Sequence, residues 1–398
     1  MLDGIWGLFL LLPLAAASGW YIRGRHSVDD EVESSPSRLN PDYLRGIGHL
    51  VNDESDRAIE AFIRALDVDN DTVETHLALG NLFRRQGEVD RALRVHENLV
   101  ARPHLSPAHR NQARLELARD YLRAGVLDRA ENLFLQLLGQ ESFLDRASAG
   151  LVTIYEQERE WSKAIECTRR LEKIRGYSLR PVIAQYFCEL AEDLPADGRR
   201  DSKRQYLRQA RSAYRGCVRA TLLRGALAEQ DADWRLAIRI YRQVQRQDAD
   251  FICEIIKPMR RCYEQLQDTR GYAHHLRELM AATDHVEPHI AFTRLLHEQQ
   301  RTDEAIAHLS QYLQQRASWI GFHQLLELTE AGTHGGLTGP LVSLRQLLSR
   351  IIERRSTYHC GHCGFSGRYL HWQCPRCRQW NSMVPVHDIV PGEQVQQS

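Results

Sequence analysis

Apolar and polar residues recur along most of the chain with the period of amphipathic helices. From Asp42 onward, helix-length amphipathic segments follow one another, separated by turns rich in Gly, Glu or Asp. Ala58, Ala92, Ala130 and Ala164 return at spacings of 34, 38 and 34 residues, each at the start of the second helix of a pair. A small side chain there lets two helix backbones approach closely. The pattern therefore predicts stacked helix pairs.

The residues before these alanines resemble the tetratricopeptide repeat. They are Leu79, Gly80 and Phe83 in one unit, and Leu117, Ala118 and Tyr121 in the next. Beyond Ala164 the spacing becomes irregular, with further alanines at Ala210, Ala237 and Ala305. Counting degenerate units, we expect about eight or nine helix pairs in an all-α tetratricopeptide-like solenoid over residues 42–331. Stacked helix pairs of this kind bind partners on their surfaces, and the repeat pattern does not by itself provide an active site.

The first residues predict a membrane anchor. Residues 5–22 contain no charge, and a helix of that length spans about 27 Å, close to a bilayer core of about 30 Å. Arg23 and Arg25 follow directly, which favours a single transmembrane helix over residues 1–22 with the bulk of the chain in the cytoplasm. A signal peptide cleaved near Ser18, or a soluble protein with an apolar start, is the alternative. Residues 23–41 are polar and predict a tether.

Charge and cysteine content narrow the possible partners and the compartment. The 52 basic residues equal the 52 acidic residues, so there is no general attraction to nucleic acid or to an acidic membrane. Five cysteines are scattered through helical stretches without paired spacings, which suggests free thiols in a reducing compartment. They are Cys167, Cys188, Cys217, Cys253 and Cys262.

One stretch departs from this charge balance. No acidic residue occurs between Ser202 and Ala228. Steps of three and four residues from Arg200 to Arg219 predict a stripe of arginines along one helix. The candidate partner-binding residues within it are Arg204, Arg208, Arg211 and Arg215. The alternative is a solvated face that neighbouring helices neutralise.

A cysteine knuckle follows the repeats at residues 357–385, after a connecting helix over 332–356 and before a tail over 386–398. Its ligands are spaced as Cys360-x2-Cys363 and Cys374-x2-Cys377. Four thiolates in two short turns suit one tetrahedral ion, and the segment resembles rubredoxin and zinc-ribbon knuckles, which accept iron or zinc. A closed tetrathiolate leaves no open position for catalysis, so we expect a structural site.

Other residues of the knuckle have expected roles around the ion. Gly361, Gly364 and Pro375 suit the turns. Five large apolar residues are expected to cover the site, namely Phe365, Tyr369, Leu370, Trp372 and Trp380. Three histidines, His359, His362 and His371, are expected to be spare. The whole knuckle is expected to dock on the last repeats.

Taken together, the anchor, the repeats and the "CGHCGF" and "CPRCRQW" motifs resemble the lipopolysaccharide assembly protein B family over the whole chain. The resemblance implies an inner-membrane adaptor without enzymatic activity. It further implies that the adaptor limits lipopolysaccharide synthesis by promoting degradation of the deacetylase LpxC by the membrane protease FtsH. A role as scaffold for other lipopolysaccharide assembly proteins belongs to the same expectation.

Two other functions stay open at the level of sequence. A rubredoxin-like electron carrier would use iron and would need a redox partner. A zinc-ribbon nucleic-acid binder would need a basic aromatic face and salt-dependent affinity. Balanced charge and the predicted anchor count against the second alternative, and no nucleic-acid partner is expected.

Overall fold

The computed structural model describes residues 73–195, 200–332 and 339–388, with isolated positions between 45 and 61. The predicted anchor and tether lie outside the described residues, as do Ala58 and the tail beyond Asp388. Within the described ranges, no helix is both long and apolar enough to cross a membrane.

The described residues form a succession of helices that ends in three short strands. The first helices are α1 (Val73–Gln86), α2 (Val89–Ala101), α3 (Pro107–Ala124), α4 (Leu127–Leu137), α5 (Leu144–Gln157), α6 (Trp161–Arg175), α7 (Arg180–Glu192), α8 (Arg200–Ala213) and α9 (Val218–Gln230). They are followed by α10 (Trp234–Tyr241), α11 (Val244–Gln247), α12 (Ile252–Gln265), α13 (Thr269–Ala282), α14 (Val286–Glu298), α15 (Thr302–Gln315), α16 (Trp319–Gly332) and α17 (Gly339–Arg354). The strands are β1 (Tyr358–Cys360), β2 (Ser366–Gly367) and β3 (Met383–Pro385). The all-α repeat fold with a C-terminal cysteine knuckle is thus confirmed.

The chain divides after Gly125 into two compact units. In the first, α1, α2 and α3 pack on one another. Gly80 is required there, because a Cβ atom at this position would lie 2.3 Å from the buried ring of His96. His96 Nδ1 lies 2.5 Å from Asp120, whose carboxylate also accepts a hydrogen bond from Arg84 at 2.7 Å. The ring therefore occupies the space that the absent side chain leaves, and a buried charge network holds it.

In the second unit, most helices from α4 to α17 pack on the helix that follows them in the chain. The expected close approach recurs at Gly225 on α9, where a Cβ atom would lie 2.2 Å from the ring of Tyr241 on α10.

The recurring alanines occupy the positions that the period predicts. Five of them are fully buried close to the start of a helix, namely Ala92, Ala130, Ala164, Ala237 and Ala305. Ala210 is equally buried but lies near the end of α8, so the repeat register changes around the segment before that helix.

The turns inside the helix pairs share a positive φ angle, although several of them contain no glycine that would signal it in the sequence. Gly87 and Gly125 have positive φ at the ends of α1 and α3, as expected of glycine in a helix-terminating turn. Four residues with side chains adopt the same conformation at the equivalent turns of later repeats. They are Arg159 (φ 59°), Ala232 (φ 56°), Gln267 (φ 51°) and Gln300 (φ 63°). The turn therefore has the same backbone conformation whether glycine or a residue with a side chain occupies it.

The knuckle contains a three-stranded antiparallel sheet in the order β2-β1-β3. Tyr358 pairs with Gly367 on one side and with Pro385 on the other. The strand β3 also packs on the 3₁₀ turn Ala249–Phe251 that precedes α12. The central strand thus carries the first metal-binding cysteine, while the last strand faces the helical repeats.

Candidate metal centre and its seat on the repeats

Two equivalent turns present the four cysteines. The backbone N–H of Gly364 donates to the carbonyl of Cys360 at 3.0 Å, and that of Arg378 donates to Cys374 at 2.9 Å. Both donors have positive φ, 72° at Gly364 and 58° at Arg378. The sequence indicated the turn at Gly364, whereas the arginine in the same conformation carries no such signal. Each turn folds a Cys-x-x-Cys pair around one point.

The sulfur positions fit a tetrahedral ion. Cys360 Sγ lies 3.7 Å from Cys377 Sγ, and Cys363 Sγ lies 3.7 Å from Cys374 Sγ. All four sulfur atoms lie within 4.8 Å of one another and none belongs to a disulfide. Zinc–sulfur bonds of about 2.3 Å in a regular tetrahedron place the sulfur atoms about 3.8 Å apart. The predicted tetrathiolate set is therefore confirmed as a geometry, one that suits zinc or iron.

The protein environment assists ionisation of one thiol. Burial alone would raise the pKa of Cys360, but its hydrogen bond with the Ser382 hydroxyl and those from the backbone N–H groups of Cys363 and His362 lower it to about 6. At Cys377 a backbone hydrogen bond from Gln379 lowers the pKa, but burial and the neighbouring cysteine sulfur atoms together raise it to about 12. Because negative charge on one sulfur opposes charge on the next, a divalent cation is what allows all four to ionise together.

The aromatic residues of the knuckle do not surround the ion as expected. The core around the buried cysteines consists of Met383 with the partly buried Tyr358, Phe365 and Leu370. Phe365 and Leu370 therefore take the predicted role. Tyr369 is 77% exposed, so its predicted covering role is wrong.

Trp380 is directed away from the ion and into the repeats. Its indole N–H donates to Glu156 Oε1 on α5 at 2.7 Å. Its ring packs edge-on against Tyr186, with ring centroids 5.7 Å apart, and against Trp161, at 6.2 Å. Tyr186 donates to the same carboxylate oxygen at 2.5 Å, and Gln373 of the knuckle donates to the other oxygen at 3.3 Å. One carboxylate therefore joins the knuckle to two repeat helices.

A second polar contact lies beside it. Gln185 on α7 donates to the side-chain carbonyl of Asn381, at 2.5 Å, and Arg219 on α9 donates to the carbonyl of Gln185, at 3.2 Å. Asn381 also donates to the backbone carbonyl of Pro181 at 3.4 Å. The knuckle thus completes the hydrogen bonding of a buried glutamine side chain.

The opposite end of the knuckle packs against later repeats. Trp372 stacks on Phe251, with ring centroids 5.6 Å apart and an interplanar angle of 16°. Tyr358 donates to Glu254 on α12 at 2.5 Å. Farther along, the carboxylate of Asp388 accepts from the backbone N–H of Trp319 at 3.2 Å. The expectation that the knuckle docks on the last repeats is therefore wrong in its extent, since the contacts of residues 357–385 run from α5 to α12 and the contact with α16 comes from the residue Asp388 beyond them.

Comparison with known proteins supports both parts of the architecture. A family model described as rubredoxin metal binding domain matches residues 358–385, and one described as tetratricopeptide repeat matches residues 43–102. Lipopolysaccharide assembly protein B of Haemophilus influenzae is 34% identical over 389 residues, covering 95% of this chain and 98% of the relative. The protein of the same name from Escherichia coli K12 is 33% identical, covering 96% of this chain and 98% of its own. This chain belongs to the lipopolysaccharide assembly protein B family.

Among solved structures, a tetratricopeptide repeat protein from Parabacteroides merdae is similar in fold. The alignment covers 65% of this chain and 98% of the Parabacteroides merdae chain. Its sequence identity is 12% and its TM-score is 0.32.

The arginine stripe that the sequence predicts does not lie on one helix. Helix α8 ends at Ala213, so Arg215 lies in the following turn and Arg219 lies on α9. Arg219 is only 6% exposed and pairs with Glu189 at 2.8 Å. A single stripe from Arg200 to Arg219 is therefore wrong, because the chain turns inside it.

The four candidate partner-binding arginines nevertheless all lie at the surface. Arg204 pairs with Asp231 at 2.5 Å and with Asp201 at 3.0 Å. Within the described part of the chain, Arg208 and Arg211 make no ion pair. Neighbouring helices therefore neutralise part of this cluster and leave its centre charged.

Proposed function

We propose that this chain is a non-catalytic adaptor in the control of lipopolysaccharide assembly. Two relatives named for lipopolysaccharide assembly align with nearly its whole length. A closed tetrathiolate offers an ion no free position for a substrate, and stacked helix pairs offer binding surface. These features support a protein that binds other proteins.

The match to these relatives over nearly the whole chain is the observation on which this proposal mainly rests, and the contact between Trp380 and Glu156 supports a structural role for the metal site. When bound, the ion holds four cysteines together and so supplies the fold of a segment too small to build its own core. Because that segment contacts α5, α7 and α12, its fold fixes how these helices are presented to a partner. The metal ion thus affects partner binding indirectly, by fixing the fold of the knuckle and the position of the helices that it contacts.

At a finer level, we place the adaptor at the inner membrane, held by a single anchor over residues 1–22 with the repeats in the cytoplasm. Confinement to the bilayer raises the effective concentration of a second membrane protein. The protease FtsH and the deacetylase LpxC are the proposed partners, with LpxC degradation as the outcome. Arg208 and Arg211, with Arg204 and Arg215 beside them, form the proposed contact for an acidic partner surface.

This function is tested in cells depleted of their own family member. We expect the parent chain to keep the LpxC half-life short, and Arg208→Glu with Arg211→Glu to lengthen it severalfold. Arg235→Glu with Arg239→Glu is the matched control, because it reverses two exposed arginines on α10. An unchanged half-life in the first double variant would remove the arginine contact from the proposal, and an unchanged half-life on depletion of the parent chain would overturn the proposed function.

The proposed topology is tested separately. A reporter that is active only in the periplasm, fused after Ser398, should remain silent. An active reporter would exclude the proposed cytoplasmic orientation.

A further inference from the structure

A second group of potential metal ligands lies where the knuckle meets the repeats. Asp250 belongs to the 3₁₀ turn before α12, His285 immediately precedes α14, and His387 follows β3 by two residues. The ligand atoms of the three residues lie within 4.8 Å of one another. Folding therefore brings together three elements that are far apart in sequence, and it does so outside the tetrathiolate site.

The distances within this group are those of shared coordination. His285 Nε2 lies 3.7 Å and His387 Nε2 lies 3.9 Å from the same oxygen, Asp250 Oδ1. Both distances are too long for hydrogen bonds. A tetrahedral zinc ion with bonds of about 2.0–2.2 Å separates its nitrogen and oxygen ligands by about 3.3–3.6 Å. The rings of His285 and His387 are stacked, with centroids 3.6 Å apart and an interplanar angle of 28°. Rotation of the two side chains is therefore needed before both Nε2 lone pairs point at one ion.

A carboxylate already orients one of the imidazoles. His387 Nδ1 lies 3.1 Å from Glu287 Oε1, so the Nδ1–H group donates to this carboxylate and the Nε2 atom keeps its lone pair. That Nε2 atom is buried and has no hydrogen-bond partner among the described residues. A histidine ligand held by a carboxylate through its second nitrogen is the usual arrangement at protein zinc sites. An imidazole lone pair that is buried without a partner is costly unless something binds it.

We propose that Asp250, His285 and His387 bind a divalent transition-metal ion, with zinc as the ion that best suits this set. Two imidazoles and one carboxylate favour zinc over magnesium or calcium, which prefer oxygen ligands. Three protein ligands leave the fourth position to water. Because His387 closely follows the last strand of the knuckle and the other two ligands belong to the repeats, this ion fastens the chain at the end of the knuckle to the N-terminal ends of α12 and α14.

The test titrates Zn²⁺ into the full chain whose tetrathiolate site is already loaded, using calorimetry and direct metal analysis after dialysis. We expect the parent to bind a second equivalent, and His285→Ala and His387→Ala to lose it. Glu287→Gln keeps all three ligands but weakens the orienting contact, so the affinity for the second equivalent should fall about 10- to 100-fold. His308→Ala is the matched control, because His308 lies 3.1 Å from His289 in a separate imidazole pair.

Retention of the first equivalent shows that each variant keeps its knuckle. Cobalt substitution distinguishes the sites, since only the tetrathiolate gives strong sulfur-to-metal charge transfer. A parent that binds one equivalent only, or variants at 285 and 387 that both keep the second, would overturn the proposal. If either alanine variant also loses the thiolate-bound ion, Glu287→Gln decides, and unchanged affinity in that variant counts against the site.

Discussion

Glu156 on α5 accepts the indole hydrogen bond of Trp380, a residue 224 positions later in the chain, at 2.7 Å. The same carboxylate also accepts from Tyr186 and Gln373. A single acceptor group therefore links two repeat helices to the segment that the metal organises. We therefore expect the stability of the repeats to depend on the distant cysteine site.

Replacing Trp380 by phenylalanine should destabilise the protein by about 1–3 kcal/mol. The indole donor is lost and its aromatic contacts with Tyr186 and Trp161 are reduced, while the carboxylate of Glu156 remains partly buried. Urea unfolding of the metal-loaded protein measures the change. Tyr369→Phe is the control, since this exposed side chain should contribute less than about 0.5 kcal/mol. Equal effects of the two substitutions would show that the indole contact has little energetic importance.

Replacing Ala232 by glycine should stabilise the protein by about 1 kcal/mol. Ala232 has φ 56° in the turn between α9 and α10, a conformation that is strained for a residue with a Cβ atom. Ala307→Gly provides the contrast, because Ala307 is exposed inside α15 and glycine there should cost about 1 kcal/mol. Thermal unfolding midpoints that shift in the same direction for both variants would contradict the proposed strain.

The stability of the repeats should fall as the pH is lowered from about 6.5 towards 4. Burial, followed by the charges of His308 and Arg316, lowers the pKa of His289 to about 4. Burial is also the main cause that lowers the pKa values of His308, His275 and His285. In this window the unfolded chain binds protons that the folded chain does not, so protonation favours unfolding.

The histidine contribution can be isolated with one variant. Acid also protonates the cysteine ligands, so the relevant quantity is the stability difference between parent and His289→Gln at each pH. Urea midpoints should fall less steeply with decreasing pH in this variant than in the parent. His104→Gln, which changes an exposed histidine, should keep the slope of the parent. Identical slopes in all three proteins would show that His289 does not contribute.

The sequence was informative wherever local spacing determines structure. The metal-binding role of the four cysteines is predictable because each Cys-x-x-Cys pair closes a short turn. The burial of Ala92 and Ala164 is predictable because each helix crossing needs a small residue, which recurs with the period of the repeat. The turn conformation of Arg159 or Gln300 was not predictable, since these residues carry no preference for positive φ. There the packing of adjacent helices imposes the geometry that glycine provides in the first repeats.

Long-range contacts were beyond the reach of sequence patterns. Trp372 and Trp380 were expected to cover the ion because they are neighbours of the cysteines, yet they pack on Phe251 and Tyr186. The pairing of Trp380 with Glu156 depends on how many repeats intervene and how they curve, which no local motif encodes. The arginine stripe failed for a related reason, because the chain turns after Ala213 and Arg219 pairs with acids on α7.

Hydrogen exchange of the Cys374→Ser variant tests most directly whether the metal knuckle supports the repeats. Loss of one thiolate should remove the ion and unfold the knuckle. Backbone amides of α5, α7 and the start of α12 should then exchange at least tenfold faster than in the parent. Helix α8, which supplies none of the knuckle contacts described above, serves as the internal reference. Complete loss of the ion with unchanged exchange in α5 and α7 would contradict the account.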